Sequence, residues 1–238
     1  MSCPGRLCYN KHAQKTLFAA RGRFCFLTAW GMRMAATLDW NLVCTSPLDI
    51  AAGWKALAFE GDKTAIQAAF CMDNWAWQNL QELPDAARAA ECVRAGRIVV
   101  LKLASGIFEN TGGFLEFDGR RFYYGFWAGL QAFPEADAEE LLPQNGPFYK
   151  TVFERACALF SQNKEVLLLA VGVESSLRPA DTVKRMLESS QNILWGITRE
   201  GPGALNGVSG YKTQSTKLGS LFFKAGMEPL METLPERL

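Results

Sequence analysis

The sequence contains a single histidine among 238 residues, and this scarcity excludes several kinds of active site. A Ser-His or Cys-His nucleophile, a histidine-rich metal site and an H-E-x-x-H protease motif all need histidines that the chain lacks. The one histidine, His12, lies in the polar stretch YNKHAQK, where a solvated side chain is expected. Any acid–base chemistry is therefore expected to use carboxylates, Lys, Tyr or Cys, and no metal site is predicted.

Glycine-rich phosphate loops and a strong net charge are also absent. Neither G-x-x-x-x-G-K-[ST] nor G-x-G-x-x-G occurs, so the common loops that cradle phosphate are not encoded. The net charge is +1, which indicates no attraction to nucleic acid or to membrane lipid. With 49% hydrophobic and 21% charged residues, the composition is typical of a soluble globular protein.

The cysteines form neither a disulfide nor a zinc pattern. Seven of them, an odd number without a repeated spacing, are typical of reduced thiols and favour a cytoplasmic location. Cys3 and Cys8 form an isolated C-x4-C pair, with no second pair to complete a zinc site. Six basic residues precede Asp39, the first acidic residue, and this bias makes an organellar transit peptide the alternative.

Helical periodicity predominates along the chain. Apolar spacing and turn residues predict helices at residues 50–72, 84–95, 147–172, 180–187 and 216–231, the third of them broken near 161–163. The segment RIVVLKLA predicts a buried strand, and alternation around Asp118-Gly119 predicts a hairpin within residues 98–127. We therefore expect an α+β fold, a mostly helical single domain with a small β-hairpin and strand insertion.

Four segments in the C-terminal half occur in an order that resembles a known family. They are ALFSQNKEVLLLAVG, then LESSQN, then ILWGI, then STKLGSLF. Together with GRFCFLTAW and TSPLDIAAGWKALAFEGD nearer the N-terminus, they resemble the NADAR (NAD- and ADP-ribose-associated) family. The resemblance implies a basic extension at residues 1–20 followed by a NADAR-like domain at 21–238. Within that domain, residues 72–145 match poorly and are interpreted as an insertion.

The resemblance implies an N-glycosidase that hydrolyses a C–N glycosidic bond in an ADP-ribosyl compound or a ribosylated pyrimidine. The implied partner is a nucleotide-like small molecule, and no cofactor is implied. Asp49 is the implied catalytic carboxylate, in place of a family Glu that falls on Pro47 here. The implied substrate-binding residues are Phe24, Trp30, Lys55, Asn192, Trp195, Gly196, Thr216 and Gly219.

The sequence departs from the family pattern at positions where the family has functional polar side chains. Asn192 stands where the family has Asp, and Thr216 stands where it has Asn. Because missing carboxylates would remove stabilisation of the transition state, an inactive module that binds ADP-ribose, a nucleotide or a protein partner is an alternative. A third interpretation is that the matches reflect core patterning alone. Trp195, flanked by Ile and Leu, fits either a ligand pocket or the hydrophobic core.

Overall fold

The segment TLDWNLVC alternates apolar and polar residues and forms a central strand, β1 (Thr37–Cys44). Leu38, Trp40 and Leu42 are fully buried on one face of this strand, and Asp39 and Asn41 lie on the other face. The structure, a computed structural model, describes residues 37–48, 67–68, 81–82, 86–94, 99–102, 112–129 and 146–228. All of them belong to the larger of two compact units, residues 35–238.

Further strands and helices follow along the described chain. The shorter strands are β2 (Gln67–Ala68), β3 (Gln81–Glu82) and β4 (Val99–Lys102). The longer strands are β5 (Gly112–Phe117), β6 (Phe122–Gly129), β7 (Val166–Ser176), β8 (Gln191–Thr198), β9 (Tyr211–Thr216) and β10 (Gly219–Lys224). The helices are α1 (Ala86–Arg94), α2 (Gly146–Gln162) and α3 (Val183–Glu188), with a 3-10 turn at Pro202–Leu205. None of the described helices is long and apolar enough to span a membrane.

Eight of the strands form one antiparallel sheet in the order β4-β5-β6-β1-β7-β8-β10-β9, and β2 pairs with β3 separately. The described fold is therefore mostly β, and the predicted mostly helical α+β fold is wrong. The segment EVLLLAVG, expected to be helical, forms most of β7 and pairs with both β1 and β8. In a short apolar run that is buried on both faces, the spacing of apolar residues does not distinguish a strand from a helix.

The hairpin prediction is confirmed by the antiparallel pairing of β5 with β6. Asp118 Oδ1 closes the turn by accepting hydrogen bonds from the backbone N–H groups of Arg120 and Arg121. The hairpin does not lie at the edge of a helical core, however, because β6 pairs with β1 within the large sheet. It is thus an integral part of the sheet.

The remaining local predictions have mixed outcomes. The strand in RIVVLKLA and the helices at 84–95 and 180–187 are confirmed by β4, α1 and α3, and α2 confirms the first part of the helix at 147–172. The predicted helix at 216–231 is wrong over its described part, which includes β10. Most of the predicted helix at 50–72 lies outside the described residues, and the two described positions form β2.

Two hydrophobic clusters cover opposite faces of the large sheet. We call the face that carries Trp40 and Trp195 the first face, and α2 packs on it through residues such as Phe153. We call the face that carries Asp39 and Asn41 the second face, and α3 packs on part of it through its buried apolar side chains. The second face therefore combines an apolar region with a polar row on β1.

Candidate active site around Asp39

The residues predicted to form the site occupy several places in the structure. Four of them lie outside the described residues: Phe24, Trp30, Asp49 and Lys55. The other five lie on β8 or beside the β9–β10 turn: Asn192, Trp195, Gly196, Thr216 and Gly219. That turn lies near the end of β8, where Thr198 pairs with Ser220, whereas Asn192 lies at the start of β8. The structure does not bring Asn192 to the β9–β10 turn.

Trp195 is buried in the core on the first face. Its exposed fraction is 0%, and its ring packs against Phe153 with the ring centroids 4.7 Å apart. Its Nε1 has no hydrogen-bond partner among the described residues. The next residue, Gly196, pairs with Phe222, whose Cζ would lie 2.3 Å from a Cβ at position 196. Both positions on β8 therefore contribute close packing within the described part of the chain.

Thr216 and Gly219 close the turn between β9 and β10. The Thr216 hydroxyl donates to the Gly219 carbonyl oxygen at 3.2 Å and accepts a hydrogen bond from the Leu218 backbone N–H. Gly219 has a φ of +143°, and a Cβ there would lie 2.0 Å from the Thr198 carbonyl oxygen. Glycine is needed for this close approach of the strands, so the two residues stabilise the hairpin.

A polar cluster on the second face is the strongest candidate for a functional site. At its centre, the Asp39 carboxylate accepts hydrogen bonds from the Ser175 backbone N–H at 2.5 Å and from the Thr37 hydroxyl at 3.0 Å. Asn41 donates through Nδ2 to the Ser175 hydroxyl oxygen at 3.0 Å. We call Thr37, Asp39, Asn41, Glu174 and Ser175 the carboxyl cluster.

An irregular stretch of β7 positions Ser175 in the carboxyl cluster. The pairing of β7 with β8 shifts after Gly172, and Glu174 has a φ of +46°. A Cβ at position 172 would lie 2.1 Å from the carbonyl oxygen of Asn192, which itself has a φ of +56°. Left-handed backbone in residues other than glycine costs about 1–3 kcal/mol and is concentrated at functional sites. The strained stretch of β7 therefore lies within the carboxyl cluster.

Burial raises the pKa of Asp39 to about 7, against an ordinary value of 3.8. The loss of solvation is the largest cause, and the hydrogen bonds from Ser175 and Thr37 oppose it only in part. The negative charge of Glu174 raises the pKa of Asp39 further. Near neutral pH, Asp39 therefore exists in both protonated and ionised forms, which suits a group that donates and then recovers a proton.

The cluster fits proton transfer better than metal binding. Among the described residues, no group of three or more His, Cys, Asp or Glu side chains could hold a metal ion. The strand pairing places Trp127 of β6 opposite Asp39, but the Trp127 ring lies over Gly112 of β5, on the side of β6 away from β1. The site thus combines a proton donor with a second carboxylate.

No family model, no curated protein and no solved structure matches this chain.

The sequence analysis did not predict the carboxyl cluster as a functional site. A signal for it was present, because Thr37, Asp39 and Asn41 alternate with apolar residues that are buried. Such a period of two predicts a strand with polar side chains on one face. The partner strand could not be identified in the same way, since Ser175 lies more than a hundred positions away and reaches Asp39 through an irregular backbone.

The pKa of Asp39 predicts that the protein loses stability as pH rises through about 7. Below that value the folded state holds the carboxyl protonated, whereas an unfolded Asp ionises near 3.8. Because the folded state binds the extra proton, the free energy of unfolding should fall by roughly 2 kcal/mol between about pH 5.5 and about pH 8.5. Urea denaturation at several pH values measures this fall.

Asp39→Asn should abolish this component of the pH dependence, since the amide stays neutral throughout. Asp181→Asn is the matched control, because the Asp181 side chain is 83% exposed and its removal should leave the slope unchanged. Equal slopes in the parent and in Asp39→Asn would show that another group causes the dependence.

Proposed function

We propose that this protein is a hydrolase of the N-glycosidase type, with Asp39 as its general acid. The observation that supports the proposal is a half-buried carboxyl that accepts hydrogen bonds from the Ser175 backbone N–H and the Thr37 hydroxyl, and whose pKa is raised to about 7 with a contribution from a second carboxylate, Glu174. Glycoside-cleaving enzymes commonly pair a protonated carboxylic acid with an ionised carboxylate. The reaction class comes from the resemblance to the NADAR family, and the role given to Asp39 comes from the geometry.

In the proposed reaction, Asp39 donates its proton to a nitrogen of the leaving base as the C–N bond to the sugar breaks. Positive charge develops at the anomeric carbon, and the exposed carboxylate of Glu174 stabilises that charge. Water then adds to the anomeric carbon and releases a proton, which returns to the ionised Asp39. The net products are the free base, carrying one new N–H, and the free sugar, carrying one new hydroxyl.

A binding module without turnover is the second candidate. It is supported by the positions at which this sequence departs from the NADAR pattern, including Pro47, Asn192 and Thr216. Such a module would use the polar residues of the carboxyl cluster to hold a nucleotide-like ligand. It would need no proton transfer from Asp39.

A hydrolysis assay tests the proposal and separates the two candidates. The purified chain is incubated with pyrimidine ribosides, purine nucleosides, NAD and ADP-ribose, and free base and reducing sugar are measured. The enzyme proposal predicts equal amounts of base and free sugar from at least one compound. Binding of a compound without release of base would favour the module, and neither binding nor release would contradict both.

We also propose a reducing compartment, the cytoplasm, with an organelle as the alternative. Cys44 and Cys157 are free and buried, and burial raises the pKa of the Cys157 thiol to about 12. Such thiols are unreactive and are typical of proteins that do not depend on disulfides.

A further inference from the structure

Ser175 forms hydrogen bonds with two side chains of the carboxyl cluster. Its backbone N–H donates to Asp39 Oδ2 at 2.5 Å, and its hydroxyl oxygen accepts from Asn41 Nδ2 at 3.0 Å. Asp39 and Asn41 are two positions apart on β1, so their side chains share the second face of the sheet. Ser175 therefore links these two side chains of β1 from the neighbouring strand β7.

The backbone of β7 leaves room for the Ser175 side chain. A Cβ at position 172 would lie 2.5 Å from Ser175 Cβ and 2.8 Å from Ser175 Oγ, so Gly172 gives the hydroxyl its space. Glu174, with a φ of +46°, turns the chain directly before Ser175. Left-handed backbone of this kind persists only where the surrounding contacts hold it in place. The position of the Ser175 hydroxyl is therefore well defined by its own strand.

The contact with Asn41 determines what the Ser175 hydroxyl can do. An amide nitrogen only donates, so the hydroxyl oxygen is the acceptor in this contact and its own hydrogen is directed elsewhere. The carboxylate of Asp39 is an acceptor beside it, and hydrogen bonding by the Ser175 side chain lowers the pKa of Asp39. Asn41 is only 4% exposed, so water competes little for its amide.

We propose that Asn41 is a positioning residue that acts on Asp39 through Ser175, because its amide holds the Ser175 hydroxyl with the hydrogen directed at the carboxylate. The hydroxyl and the backbone N–H of Ser175 then both donate to Asp39, as the Thr37 hydroxyl does. Successive hydrogen bonds polarise one another, so the bond from Asn41 strengthens the one that Ser175 gives to Asp39.

The catalytic consequence of this arrangement rests on the proposed function. When Asp39 gives its proton to the leaving base, it becomes ionised at a place where solvation has been lost. Donors that already point at the carboxylate stabilise the charge as it forms. Without the contribution of Asn41, Asp39 would be a weaker acid and would give up its proton less readily.

The other groups around Asp39 leave its titration open to interpretation through these hydrogen bonds. The negative charge of Glu174 on β7 raises the pKa of Asp39, whereas the donors lower it. Strand pairing places Trp127 of β6, Gly172 of β7 and Ile193 of β8 in line with Asp39, and none of these side chains titrates. Substitution of Asn41 or Ser175 by an apolar residue changes no charge.

NMR titration of the Asp39 carboxyl carbon tests the proposal without any substrate. The proteins compared are the parent, Asn41→Leu, Ser175→Ala and the variant that carries both changes. Ser175→Ala should raise the midpoint by about one pH unit, the usual effect of losing a hydrogen bond to a charged group. Asn41→Leu, similar in size but without a donor, should raise it by about half a pH unit, and by much less when residue 175 is alanine. Ser175→Thr keeps the hydroxyl and should keep the parent midpoint.

Three results would overturn the positioning role of Asn41. A lower midpoint in Asn41→Leu would show that the amide accepts the Ser175 hydrogen and keeps it from Asp39. An unchanged midpoint in either folded single variant would show that no such chain of hydrogen bonds reaches Asp39. An equal effect of Asn41→Leu with serine or alanine at position 175 would show that Asn41 does not act through the hydroxyl. Asn41→Val takes the place of Asn41→Leu if that protein does not fold, because a β-branched side chain suits a buried strand.

The hydrolysis assay separates this proposal from the proposed function. In Asn41→Leu, kcat should be about 2-fold lower, and the pH at which it declines should move upwards with the NMR midpoint. The expected NMR shifts, together with no base release by the parent, would support the positioning role and contradict the N-glycosidase activity. Base release by the parent without an NMR shift in Asn41→Leu would contradict the positioning role alone.

Discussion

Asp39→Asn is expected to slow base release by about 100- to 10,000-fold, because an amide cannot donate the proton that the leaving base needs. The substitution keeps the size of the side chain and an oxygen that can accept the hydrogen bond from the Ser175 backbone N–H. Stability near neutral pH should not fall, since the variant removes a carboxyl that is costly to ionise. The measurement is kcat for the compound from which the parent releases base in the hydrolysis assay.

The pH profile distinguishes acid catalysis from a structural effect of this change. In the parent, kcat should decrease about tenfold per pH unit above the pKa of Asp39, because only the protonated form is competent. Asp181→Asn, which removes an exposed carboxyl elsewhere, should reproduce the parent profile. An Asp39→Asn protein with activity within a few-fold of the parent would rule out Asp39 as the general acid.

Trp195→Ala is expected to lower the free energy of unfolding by about 3–5 kcal/mol, the usual cost of removing a large buried aromatic side chain. Trp195 is fully buried, packs on Phe153 and pairs with Phe223 in the adjacent strand. Urea denaturation measures the loss. Trp195→Phe keeps part of the packing and should lose less, so it remains measurable if the alanine variant does not fold.

Substitution of Trp195 should lower stability without changing ligand binding. Trp195 lies on the first face, whereas Asp39 lies on the second, so folded Trp195→Phe protein should bind any ligand of the carboxyl cluster as the parent does. Loss of binding with little loss of stability would show instead that Trp195 contacts the ligand, as a pocket residue would.

Local signals in the sequence predicted the pieces of the fold better than their assembly. The Asp118-Gly119 turn and the alternation around it predicted the β5–β6 hairpin, because turn geometry and strand period are properties of neighbouring residues. Helices α1 and α3 were found for the same reason. The position of the hairpin inside the large sheet depends on pairing between β6 and β1. These strands are about eighty positions apart, so no local pattern encodes their pairing.

The errors arose where burial removed the distinguishing pattern. Strand β7 is apolar on both faces because α2 and α3 cover opposite sides of the sheet, so it resembled a buried helix. The motif ILWGI suggested a ligand turn, but in β8 it packs Trp195 and Gly196 against neighbouring strands. The candidate site was missed since its members, Asp39 and Ser175, come together only through the sheet and an irregular stretch of backbone.

Titration of the Asp39 side-chain carboxyl carbon by NMR measures the pKa on which the proposed reaction depends, and the spectrum of Asp39→Asn identifies the resonance. We expect a midpoint at about 7, because the loss of solvation outweighs the hydrogen bonds from Ser175 and Thr37. A midpoint close to the ordinary value of 3.8 would contradict it. Asp39 would then be ionised at neutral pH and could not supply the proton on which the proposed reaction depends.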